Sequence, residues 1–181
     1  MSETDVLHEQ QKKTGKSTVI IIAILCVLVT AVVVLAVLHR STMPEGHLEL
    51  QAAREFLITA GEDTRNVSLS DLHTIGQMEI SSSPRGELRT FTGVPLVRIF
   101  EHFDLDYSEV RTVVFTALDG FVTAVSIAEA LDEANVFIVF EEDGRPLGTR
   151  EEGGHGPYML VVAQDSFPNR WARYIAEITL S

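Results

Sequence analysis

The sequence predicts an α+β domain built on mixed β-sheet and preceded by one transmembrane helix. Three observations predict it. Residues 18–38 form a run of 21 without a single charge, in a chain of 181. Beyond that run, short β-branched and aromatic stretches recur between turns containing Gly, Pro and Asp, which is strand patterning. Among those stretches stand three short segments with helical spacing or capping signals.

The apolar run comes first. At about 1.5 Å per residue, a helix of that length spans about 31 Å, matching a hydrocarbon core of about 30 Å. The run exceeds the usual h-region of a signal peptide, and Leu35-Ala36-Val37-Leu38 is a poor small-x-small cleavage site. Cys26 follows bulky Leu25 in mid-run, which is no lipoprotein signal. Lys12, Lys13 and Lys16 precede the run and only Arg40 directly follows it. Positive-inside logic therefore expects a cytoplasmic tail (1–17), a signal-anchor helix (18–38), a linker (39–46) and an extracytoplasmic domain (47–181) in a single-pass cell-membrane protein.

Charge and cysteine usage narrow the function classes. Residues 41–181 hold ten arginines against 23 acids, a formal charge of −13. Such a domain repels nucleic acid, so no nucleic-acid partner is expected. Cys26 is the only cysteine. The outer domain therefore has no disulfide, no thiolate ligand and no Cys nucleophile, and is held together by its core.

In order, residues 56–59 read as a strand, and Ser68 or Ser70 caps a short helix through Asp71-Leu72-His73. Residues 78–82 and 88–92 have strand character around the Ser83-Pro84-Arg85-Gly86 turn. Residues 94–103 have helical spacing, with Leu96, Ile99, Phe100 and Phe103 on one face and Pro95 in the first turn. Residues 112–117 and 121–125 form a strand pair around Asp119-Gly120. Ser126 and Glu129 make a capping box for a helix over 127–134. Residues 136–141 and 158–163 are apolar strands with an Asp143-Gly144 hairpin signal between them, and 173–180 is the closing strand. Period-2 spacing places Val113, Phe115, Phe137, Val139, Leu160 and Val162 in the core, with Phe100 packing from its helix.

The residues alone assign no catalytic group. His47, His73, His102 and His155 show no i, i+4 or His-x-His spacing, so no metal site is read from them. Asp104-Leu105-Asp106 with Glu109, and Glu141-Glu142-Asp143 with Glu151-Glu152, fit no EF-hand loop and read as solvated rims. No Gly-x-Ser-x-Gly elbow is present. The run Gly153-Gly154-His155-Gly156-Pro157 is the most unusual one, because its glycines permit close backbone approach to a ligand. Sequence leaves open whether His155 faces ligand or solvent.

Several segments, taken in order, resemble the oxidoreductase molybdopterin-binding domain of the sulfite oxidase family. They are Ser68–Leu72, Phe91-Thr92-Gly93-Val94-Pro95-Leu96, Leu118-Asp119-Gly120-Phe121, the hairpin 137–147, Gly154 to Val162, and Asn169-Arg170-Trp171-Ala172-Arg173-Tyr174-Ile175. The resemblance covers about residues 56–181. It implies a sulfite-oxidase-like fold and a molybdenum pterin cofactor used for oxygen-atom transfer. By the same resemblance Arg89, His155, Gly156, Arg170 and Arg173 are the candidate cofactor-binding residues.

Two departures stand at the centre of the implied site. The family's thiolate ligand usually lies just before the segment matching 91–96, where this chain reads Glu79-Ile80-Ser81-Ser82-Ser83-Pro84-Arg85-Gly86. A serine alkoxide is a harder and far more basic donor, not an equivalent. Met159 stands where the family tends to carry Arg. The expectation is a non-catalytic ligand-binding or accessory module of a membrane redox system, with a small molecule or a membrane redox protein as partner and no cofactor held. The alternative is an active molybdopterin-dependent oxidoreductase with a non-Cys metal ligand.

Overall fold

The computed structural model describes residues 24–32, 54–83 and 86–181. The chain divides into two compact units, Met1–Pro44 and Glu45–Ser181. In the first unit, residues 24–32 are helical with exposed side chains, and Thr30 Oγ1 donates to the Cys26 carbonyl at 2.7 Å. Among the described residues no helix is long and apolar enough to cross a membrane. The rest of the expected span 18–38, the tail 1–17 and the linker 39–46 lie outside the described residues.

The second unit carries two five-stranded sheets. The first is built from β1 (Glu55–Ala60), β2 (Asp63–Ser68), β5 (Thr112–Ala117), β6 (Val122–Ser126) and β10 (Ile175–Leu180), in the order β2-β1-β10-β5-β6. Only β1 and β10 run parallel, with Leu57 opposite Glu177; the other pairs are antiparallel. The second sheet holds β3 (Met78–Ser82), β4 (Arg89–Pro95), β7 (Val136–Glu142), β8 (Arg145–Pro146) and β9 (Met159–Val162). Its path is β3-β4-β7-β8, and β9 also pairs with β7. Three short helices connect them: α1 (Leu69–Ile75), α2 (Leu96–His102) and α3 (Ile127–Ala130). This mixed sheet domain with few helices is the predicted α+β class.

The core explains which positions alternate. Strand β5 has one buried face, and Val113 and Phe115 point into it as period-2 spacing requires. Strands β7 and β9 are buried on both faces. Ile138, Phe140, Leu160 and Val162 join the main core with Phe56, Ile58, Phe115, Ile178 and Phe100. Phe137, Val139, Met159 and Val161 turn the other way, into a second cluster with Phe91 and Leu147. All six strand residues expected in the core are buried, but they divide between two clusters. Tyr158 packs edge-on against Phe56 at 5.0 Å, and its hydroxyl donates to the Arg54 carbonyl at 2.5 Å. Burial pushes that phenol's pKa up.

Four expected boundaries move. Val94 and Pro95 belong to β4, because Pro95 is extended (ψ 135°) and α2 starts only at Leu96. The helix expected over 127–134 stops at Ala130: the Asp132 side chain accepts the Ala134 N–H and turns the chain. Asp143 and Gly144, both at positive φ, make the tight turn from β7 into β8, not directly into β9. The closing strand begins at Ile175, after Tyr174 at φ 58°. Strand β2 had no signal, since Asp-Thr-Arg-Asn exposes four polar residues on a sheet edge. The expected capping box of Ser126 with Glu129 forms, and of the two candidate caps of α1 it is Ser68 that acts, in a box with Asp71.

Candidate functional site

A cleft of about 670 Å³ opens over the second apolar cluster. Its floor is Phe91, Met159 and Trp171, of which Phe91 and Met159 are buried. Phe91 and Trp171 meet edge to face at 5.6 Å, and the indole N–H donates to the Val162 carbonyl at 3.2 Å. That bond and the contact with Phe91 hold the Trp171 ring in place.

Charged side chains make the walls. Arg89, on the first residue of β4, donates to Glu142 at 3.0 Å and to Glu87 at 3.0 Å. The Glu87 and Glu142 carboxylates hold its guanidinium firmly protonated. His155 Nδ1 lies 3.7 Å from the second oxygen of Glu142, so Glu142 sits between an arginine and a histidine. Arg173 enters from the bridge that pairs it with Met159. Asp119 and Phe121 reach the cleft from the β5–β6 turn, where Asp119 accepts the Phe121 N–H at 3.0 Å. Among the described residues two arginines thus face three carboxylates, with His155 beside Glu142.

Of the five residues singled out by resemblance, the fold brings together Arg89, His155 and Arg173. Arg170 is elsewhere. Its guanidinium grips both oxygens of Asp165, at 2.9 and 2.5 Å, and Glu129 at 2.9 Å. It therefore ties the loop before β10 to the start of α3. Gly156 is buried with its N–H on the Gly148 carbonyl at 2.7 Å, and it does not line the cleft. Sequence reasoning missed Glu87 as a wall residue and read Glu142 as rim. The resemblance segments contained Asp119, Phe121, Asn169 and Trp171, but nothing in their spacing announced that they converge. Among the described residues no group of three His, Cys, Asp or Glu side chains converges as a metal site.

The Arg170 cluster carries a pH dependence. The Ser126 N–H and hydroxyl, and then Arg170, hold the Glu129 carboxyl below its ordinary value. A depressed carboxylate stabilises the fold above the ordinary value near pH 4.3 and loses that contribution as pH falls through the folded one. Arg170→Met is expected to lower stability by about 1–2 kcal/mol at neutral pH, because the contact is bidentate but a third exposed. The deficit should shrink in urea titrations below about pH 4. An unchanged urea midpoint at pH 7 would show the cluster to be decoration.

A family model described as oxidoreductase molybdopterin binding domain matches residues 86–181. Every residue lining the cleft lies inside that span. Among solved structures, the sulfane dehydrogenase SoxCD from Paracoccus pantotrophus is similar, with a TM-score of 0.56 and 14% identity. The likeness covers 70% of this chain and 37% of that one, and at such identity it concerns the fold alone. No curated protein matches the chain. The match runs over half the sequence, from the turn before β4 to the last strand, and takes in the whole cleft: this chain belongs to the oxidoreductase molybdopterin binding domain family.

Proposed function

We propose that the chain is a membrane-anchored, extracytoplasmic member of this family that binds a ligand or partner at the cleft without performing oxygen-atom transfer. The observation that carries the reading is the chemistry of the cleft walls. A molybdenum pterin brings a phosphate and a metal that the family ligates through a thiolate. The only thiol here is Cys26, in the other compact unit. Arg89 is already shared by two carboxylates, and Asp119 adds a third. The residues present do not fit the group.

Elemental analysis of protein from its own host, with the cofactor pathway intact, tests the reading. Molybdenum well below one per chain is expected, with no sulfite-oxidising or sulfoxide-reducing activity. About one molybdenum per chain, lost on Ser82→Ala or Arg173→Ala, would establish the active-oxidoreductase alternative instead. Anchoring rests on the uncharged run 18–38 and its basic flank. Protease added to intact cells should remove the domain after about residue 40 and spare the tail; protection until lysis would reverse the orientation.

A further inference from the structure

The first sheet ends on two edges that differ in character. At β2 the exposed residues 63–66 include Asp63 and Arg65, which pair with each other, and charged side chains discourage strand addition. At β6 the stretch from Phe121 to Ala128 carries no charge, and Phe121 and Val122 are 42% and 57% exposed. In the β5–β6 ladder the Ala117 N–H bonds the Phe121 carbonyl and the Ile127 N–H bonds the Arg111 carbonyl. Bonded pairs alternate along an antiparallel ladder. With Phe115 opposite Thr123 and Val113 opposite Val125, the backbone groups of Val122 and Ala124 point away from β5. Among the described residues no strand or charged side chain guards this edge.

It also leads into the cleft, since Phe121 and Asp119 line the cleft wall and begin the turn into β6. Leu88 and Phe167, the two most exposed large apolar side chains among the described residues of the domain, each adjoin a lining residue in sequence. We propose that β6 accepts an extended segment of a partner protein as an added strand, apolar along Phe121 and Val122, with a Lys or Arg side chain of that segment entering the cleft. Among the described residues the carboxylates of Glu87, Asp119 and Glu142 outnumber Arg89 and Arg173 and select the basic residue, and the aromatic faces of Trp171 and Phe121 suit a cation. Strand addition supplies affinity through main-chain bonds and specificity through side-chain pockets. A second copy of the chain is disfavoured because each outer domain carries a formal −13. The proposal rests on the reading that the cleft holds no pterin phosphate.

The test uses the full chain in detergent micelles and two fluorescein-labelled octapeptides of alternating valine and threonine, one ending in arginine and one in glutamate. Saturable anisotropy is expected with the arginine peptide and at least tenfold weaker binding with the glutamate peptide. Val122→Lys and Ala124→Lys, with far-UV circular dichroism unchanged, should each weaken the arginine peptide at least tenfold, while Val122→Thr retains it. No saturable binding, equal binding of the two peptides, or indifference to both lysine variants overturns the proposal. A dimer by light scattering that the lysine variants abolish would assign the edge to a second copy and overturn the partner. Stoichiometric molybdenum alongside peptide binding would overturn both the non-catalytic reading and the entry of the basic side chain into the cleft; absence of both molybdenum and peptide binding would overturn the strand addition and leave the non-catalytic reading standing.

Discussion

A single methyl group added at Gly93 is expected to cost the domain more than about 4 kcal/mol of its stability. Gly93 lies on β4 beside the register shift that separates it from Thr92, facing β7. A Cβ there would stand 2.5 Å from the Ile138 carbonyl oxygen and 2.7 Å from the Val139 Cα. Both are backbone atoms of a strand buried on two faces, so no side chain can swing aside. Ordinary overpacking costs about 1–3 kcal/mol, and a clash that forces neighbouring central strands apart belongs to the rare class above about 4. Domains of this kind hold about 5–15 kcal/mol in all. Gly93→Ala should therefore lower the thermal midpoint by about 10–20 °C or yield insoluble protein. A midpoint within about 3 °C of the parent would mean that β4 and β7 are not packed as described.

The second large effect falls at Gly154, and its consequence is local to the cleft. Segments 147–149 and 154–156 lie side by side through three backbone bonds: Gly154 N–H to Thr149, His155 N–H to Leu147 and Gly156 N–H to Gly148, at 2.8, 2.9 and 2.7 Å. A Cβ on Gly154 would meet the Leu147 carbonyl oxygen at 2.1 Å and the Gly148 carbonyl carbon at 2.6 Å. The Tyr174 hydroxyl, which donates to the Gly154 carbonyl at 2.7 Å, would lose its acceptor position as the segment moved. Gly148, Thr149, Gly154 and His155 are half-buried and lie outside the two sheets, so Gly154→Ala is expected to cost about 2–4 kcal/mol and leave the sheets intact. The His155 imidazole should leave Glu142, seen as changed ring-proton shifts in NMR. An unchanged His155 signal would refute the coupling between this glycine and the cleft wall.

Legibility followed local chemistry. Ser126 announced its helix because its capping box with Glu129 is written within four residues, whereas the choice between Ser68 and Ser70 as the cap of α1 was settled only by the fold, in favour of Ser68. Strand β5 was legible because one face meets solvent, whereas β2 was not, because its side chains are nearly all exposed and its pairing with β1 alone makes it a strand. The same limit governed the site. Arg89, His155 and Arg173 were named by resemblance and do meet in one cleft. Arg170 carried the same basic character in the same motif, yet Asp165 and Glu129 claim it. Neither acid's proximity is visible without the path of the chain around α3. Glu87 escaped notice because only the pairing of β4 with β7 brings Arg89 and Glu142 together beside it.

The parallel pairing of β1 with β10 has a consequence for the time order of folding. The first strand of the domain finds its inner neighbour only in the last, with Leu57 against Glu177 and Ala60 against Leu180. During synthesis the β1–β2 hairpin therefore waits with one side unsatisfied while all the intervening strands emerge. Strand β10 must then slot between β1 and β5, closing the longest connection between paired strands described in the domain. Such non-local closure slows folding and prolongs the exposure of an adhesive strand.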